Sequence, residues 1–157
     1  MSPKPGFLAR RFQQIAVAVF HAEVGAAGFD LTPVQYSVLT ALRSRPPLDQ
    51  ATLAGLIAFD RTTIGGVVDR LAGRGLLSRR AHPSDRRARA LEITAEGADL
   101  LDRIEPAVER AQSVMLSGLS ESEAAEFMRL LEKAVEGCNE LSRAPMQAAM
   151  GGETIRA

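Results

Sequence analysis

Between Asp49 and Gly75 the 157-residue chain is punctuated so closely that only two short helices fit. Asp49 is placed to cap "QATLAGLIAF", where Leu53, Leu56 and Ile57 point inward at helical spacing. Asp60 is placed to cap the next run, "RTTIGGVVDRLAGR", and Gly75 stands where a helix end turns left-handed. This predicts a helix over residues 61–74. It carries two adjacent glycines, Gly65 and Gly66, although each costs about 0.8–1.0 kcal/mol relative to alanine in a helix interior. At helical rotation Ile64, Val67, Val68 and Leu71 share one arc and form a buried face. Thr62, Gly66, Asp69 and Gly73 gather opposite, with Gly65 beside them. The glycines therefore lie on an outward ridge, where something external can approach closely.

The flanking segments supply the rest of a fold. After Gly75, "LLSRRA" and "ARALEIT" alternate in part and are joined by the turn-rich "HPSDRR", which predicts a two-stranded hairpin with a basic tip. Upstream, Leu8, Phe12, Ile15 and Val19 mark a helix over residues 7–26. Thr32, Pro33 and Gln35 open a second helix that ends before Pro46-Pro47. Thr94 is placed to cap a long helix that reaches Met115, with Pro106 predicting a kink or break near Ile104. Ser120 and Glu123 form a capping box for a last helix with Phe127, Leu130, Leu131, Ala134, Cys138 and Leu141 on its apolar face. That placement makes Cys138 a buried thiol. From residue 144 the chain is aperiodic and reads as a flexible tail. The fold class is mainly α with a small β-hairpin wing, in winged helix-turn-helix order.

Composition excludes several chemistries. One cysteine and two histidines argue against a disulfide framework and a structural zinc site, so neither metal nor cofactor is expected. No apolar run approaches a membrane span and the N-terminus has no signal-peptide core, which predicts a cytoplasmic protein without a membrane partner. No convergent nucleophile, base or phosphate loop argues for an enzyme. Net charge is zero, yet residues 61–89 hold eight arginines against two aspartates, while residues 92–140 hold twelve acids against four bases. Such segregation suits a polyanion on one face.

Double-stranded DNA fits this pattern. The second helix of a helix-turn-helix enters the major groove with its N-terminal residues at base edges. Arg61 is suited to guanine or phosphate, and Thr62 and Thr63 to base edges or thymine methyls. Gly65 and Gly66 let the helix seat deeply, and Arg70 belongs to the same set. Arg86, Arg87 and Arg89 on the hairpin reach an adjacent minor groove or its phosphates, with Asp85 paired to Arg87 to hold the tip in shape. The alternative is a winged-helix module that binds protein and not DNA.

The order "LTPVQYSVLTAL", "DRTTIGGVVDRLAGRGLLSR", "HPSDRRARALEITAEG" resembles the MarR family of winged helix-turn-helix regulators over residues 8–141. The most specific pieces are "VDRLAGRGLLSR" and the wing motif Asp85-Arg86-Arg87 followed by "LEITAEG". The resemblance implies a homodimer on an inverted-repeat operator, with residues 1–30 and 95–143 as the dimerisation region and residues 31–94 as the DNA-binding lobe. It implies that Arg87 enters the minor groove with Asp85 as its partner. It further implies a repressor released by a small aromatic acid or an aromatic acyl-CoA. The glycine pair departs from the polar or basic residues that many members carry there, which shifts base reading to Arg61, Thr62 and Thr63. The N-terminal cysteine of the oxidant-sensing members is absent. For an effector, Arg10, Arg11, Gln14 and His21 offer polar groups, and Phe20 and Tyr36 an apolar wall.

Overall fold

The computed structural model describes residues 3–45, 47–81 and 89–147. Its elements are α1 (Pro5–Ala26), α2 (Pro33–Ser44), β1 (Leu48–Asp49), α3 (Gln50–Leu56), α4 (Ile64–Gly73), β2 (Leu77–Ala81), β3 (Arg89–Ile93), α5 (Ala95–Met115) and α6 (Glu121–Gly137), followed by a 3-10 turn at Asn139–Leu141. None of the described helices is long and apolar enough to cross a membrane.

The chain divides into two compact units. One comprises Met1–Pro33 with Arg103–Glu132, the other Val34–Asp102 with Lys133–Ala157. The boundaries thus fall inside α5 and α6. In the first unit, Phe20, Val24, Ile104, Val108 and Ala111 are buried. Phe12 and Phe127 meet edge to face with centroids 5.3 Å apart, and the Arg103 guanidinium lies 5.2 Å from the centre of the Phe29 ring. In the second unit, Val38, Leu39, Leu42, Leu53, Val68, Leu71 and Leu91 are fully buried.

The sheet has three antiparallel strands in the order β1-β3-β2, with Leu48 opposite Leu91 and Leu77 opposite Ile93. The sequence predicts two strands. The third, β1, is two residues long, too short for alternation to reveal, and it gains strand geometry only from pairing with β3.

Helix ends follow local chemistry. Asp49 caps α3 by accepting from the Thr52 N–H at 2.9 Å. Ser120 and Glu123 satisfy each other's backbone N–H groups at the start of α6. The Thr94 hydroxyl accepts from the Gly97 N–H and donates to the Gly75 carbonyl at 2.6 Å. At Gly97 a Cβ would stand 2.1 Å from the Leu76 carbonyl oxygen, so the first turn of α5 lies directly on that backbone. Pro106 sits inside α5 without ending it. The carbonyl deprived of a helical donor is that of exposed Asp102, where water can take its place.

Three helices close with the same paired hydrogen bonds around a left-handed residue. At α1 this residue is Gly28 (φ +83°) and at α4 it is Gly75 (φ +73°). At α3 it is Ala58 (φ +50°), whose N–H donates to Gly55 while Phe59 donates to Ala54. The turn between α3 and α4 therefore holds an alanine in a conformation that favours glycine.

Candidate nucleic-acid interface

The face assignment of α4 holds. Ile64, Val67, Val68 and Leu71 are all buried, a set worth about 1.5–3 kcal/mol per fully buried side chain. Opposite them Gly66, Asp69, Arg70 and Gly73 are exposed. A Cβ on Gly66 or Gly73 would meet nothing within 4 Å, so neither glycine is required by packing. Gly65 differs: its Cβ would stand 3.4 Å from the Gln50 amide nitrogen on α3, an ordinary contact.

The start of α4 corrects the expected boundary. The helix opens at Ile64, and Arg61, Thr62 and Thr63 form a hydrogen-bonded turn before it. The Asp60 carboxylate accepts from the Thr62 N–H at 2.7 Å and from its hydroxyl. The Asp60 carbonyl accepts from the N–H groups of Thr63 and Ile64 and from the Thr63 hydroxyl. Threonine hydroxyls compete in this way for local backbone and hold a turn in place of helix. The hydrogen bonds from the Thr62 hydroxyl and N–H hold the Asp60 carboxyl below its ordinary value, and the charge of Arg143 adds to the lowering. All three residues of the turn are exposed. Both hydroxyls are already spent as donors, so toward a base edge Thr62 and Thr63 offer lone pairs and methyl groups.

Beyond this turn the basic side chains are unevenly committed. Asp69 pairs with Arg79, and Arg80 pairs with Glu92 at 3.0 Å. Arg89 is exposed at the start of β3. Asp85, Arg86 and Arg87, the expected wing tip, lie outside the described residues. One neighbour of this turn escaped the sequence reading. Residues 139–147 run alongside the α3–α4 turn, where the Gln147 N–H donates to the Gly55 carbonyl at 2.9 Å. The only signal for it is the amide-bearing pair Asn139 and Gln147 flanking an otherwise aperiodic stretch.

The residues named for an effector lie on α1 and α2. Arg10, Arg11 and Gln14 share a shallow groove of about 370 Å³ on α1. There Arg10 donates to Gln14 at 3.3 Å, and both guanidiniums lie within 6 Å of the Phe7 ring centre. Further along α1, buried Phe20 meets the ring of exposed His21 edge-on at 6.1 Å. Tyr36 is buried on α2, in the second unit. Cys138 corrects another expectation: α6 ends at Gly137, one residue before it, and the thiol is exposed and not packed on an apolar face.

The MarR-family profile matches residues 31–88, which span α2 to the hairpin. The chain is 34% identical over 131 residues to the HTH-type transcriptional repressor NicR of Pseudomonas putida, covering 83% of this chain and 82% of NicR. Its fold matches BpsR of Bordetella bronchiseptica, whose DNA binding is regulated by 6-hydroxynicotinic acid, with a TM-score of 0.80 and 31% identity over 87% of this chain and 96% of BpsR. It also matches the repressor CouR bound to a 23-mer DNA duplex, with a TM-score of 0.77 and 28% identity over 84% and 92% of the two chains. The winged helix-turn-helix, the sequence relatives and the structural neighbours agree: the chain belongs to the MarR family of transcriptional regulators.

Proposed function

We propose that this regulator is a cytoplasmic, homodimeric repressor that a small aromatic acid, or its CoA thioester, releases from an inverted-repeat operator. The α4 helix of each protomer enters a major groove. Arg61, Thr62 and Thr63 read base edges, Gly65 and Gly66 give the duplex its close approach, and Arg70 takes phosphate. The wing delivers Arg86, Arg87 and Arg89 beside it, with Asp85 steadying Arg87. The observation that carries this reading is the outward face of α4, where Gly66 and Gly73 leave open space beside exposed Arg61 and Arg70. A helix with one fully buried side and one bare side suits a partner that presses its own surface close.

Residues 1–30 and 95–143 supply the dimerisation region and residues 31–94 the DNA-binding lobe. Support for a second copy comes from α6, which is strongly amphipathic yet has no buried residue. Val135 is 60% and Leu130 48% exposed, a cost that a second chain removes. Support for the effector class comes from BpsR, which answers to an aromatic acid, and from the paired arginines over Phe7, which offer a charged and an aromatic contact on one turn.

The test is an anisotropy titration of DNA from upstream of the protein's own gene against a scrambled duplex, at two salt concentrations, with and without a panel of aromatic acids and their CoA thioesters. Sequence-selective, salt-dependent binding that one compound abolishes is the expected result. Equal, weak binding to both duplexes, followed by failure to enrich any genomic site, sinks the reading.

A further inference from the structure

The C-terminal arm is tied down by its own side chains. The Asn139 amide clasps Met146 from both sides, accepting from its N–H at 2.8 Å and donating to its carbonyl at 3.1 Å. Ala144 donates to the Ser142 hydroxyl at 3.1 Å. Gln147 donates to the Gly55 carbonyl, and its side chain occupies the space where a Cβ on residue 55 would lie, 2.6 Å from the nearest atom. Gly55 is thus the point at which α3 admits the arm. Between arm and turn lies a cleft of about 740 Å³, with Asp60, Arg61 and Thr62 on one wall and Arg143 and Gln147 on the other.

Arg143 is exposed on that wall, and its charge is felt at the Asp60 carboxylate, a residue away from Arg61. A guanidinium carried on a fixed arm loses less freedom on meeting phosphate than one on a loose tail. It also stands beside the turn that the reading above places against base edges. We infer that Arg143 is a further operator-contacting residue. It takes a backbone phosphate flanking the bases read by Arg61 and Thr62, and the Asn139 clasp and Gly55 position it. This inference rests on Arg61 and Thr62 facing DNA.

The test is operator binding by the full-length protein across a salt series, using Arg143→Ala, Arg143→Lys, Asn139→Ala and Arg61→Ala. Loss of one phosphate contact per protomer predicts about three- to tenfold weaker binding for Arg143→Ala at low salt, and a slope of log affinity against log salt that is shallower by about one per protomer. Sequence selectivity stays unchanged. Arg143→Lys restores most of the affinity and the slope, because phosphate accepts a point charge, and Asn139→Ala reproduces the loss in part. If Arg61→Ala weakens binding while Arg143→Ala leaves affinity and slope at wild-type values, or tightens binding as release of an obstructing arm does, the inference is overturned and the reading of Arg61 stands. If Arg61→Ala itself binds like the wild type, that reading fails and this one with it.

Discussion

Helices α4 and α6 are both amphipathic and both leave a face uncovered, but different chemistry stands on the two faces. On α4 the apolar side is wholly buried and the open side carries glycines and charge. On α6 the apolar side is the open one, with Leu130, Leu131 and Val135 in solvent. The first helix is complete within its own chain, and its bare ridge suits a rigid polyanion. The second is incomplete, and its side chains suit another protein surface. Exposure alone separates nothing here; the residue type at the exposed position does.

The largest effect should come from the helix that lacks its cover. Leu130→Glu with Leu131→Glu places unpaired charge in the proposed interface, where burial costs several kcal/mol per ion. Sedimentation should show the dimer dissociation constant raised at least about 100-fold, with operator binding lost as a consequence. A variant that stays dimeric at micromolar concentration would mean that α6 is not covered by a second copy.

Next comes the bare ridge. Gly66→Leu should weaken specific DNA binding at least about tenfold while leaving the dimer intact. Calorimetry should show thermal stability unchanged or raised, since leucine outranks glycine in a helix by about 0.5–1 kcal/mol. Wild-type affinity in this variant would remove the ridge argument, whereas a fall in stability would mean that the face is packed. A smaller effect lies in the turn that leads to α4. Ala58→Gly relieves left-handed alanine, for a net gain of a few tenths to about 1 kcal/mol and a melting temperature raised by about 1–3 °C.

The smallest effect is acid sensitivity. The carboxyls of Asp60 and Glu123 are held below their ordinary values of 3.8 and 4.5, mainly by hydrogen bonds from Thr62 and Ser120 respectively. At Asp49 burial pushes the carboxyl upward, but the hydrogen bonds from Thr52 and its neighbours outweigh it and the net shift is down. A carboxyl whose folded value lies below its unfolded one stabilises fully above the unfolded value, and that stability is lost as pH falls through the folded value. The melting temperature should therefore hold from pH 7 to about 5 and fall below about 4, less steeply in Asp49→Asn. A melting temperature independent of pH down to 3 would contradict these hydrogen bonds.

What the sequence revealed and what it hid follow a physical division. Asp49, Thr94, the Ser120–Glu123 box and Gly75 all act on N–H and carbonyl groups within a few residues, so their effect is written locally. The buried face of α4 was legible for the same reason, as spacing along one helix. Three features depend on partners distant in sequence and were missed: strand β1, exposed Cys138 and the arm at Gly55. The first exists only by pairing with Leu91 and Ala90. Cys138 follows a helix that has no buried residue, so apolar spacing along it does not report burial. The arm is ordered by an asparagine reaching seven residues on, which no periodicity encodes. The turn at residues 61–63 was misjudged because threonine hydroxyls, and not apolar spacing, decide where α4 begins.

The seat of Gly97 on the Leu76 carbonyl has a mechanical consequence. With no side chain between them and the Thr94 hydroxyl bonded across, the first turn of α5 and the residues that close α4 have no room to slide. They move as one piece. Helix α5 has 21 residues, about 30 Å at 1.5 Å per residue, and its first turn is seated where α4 ends.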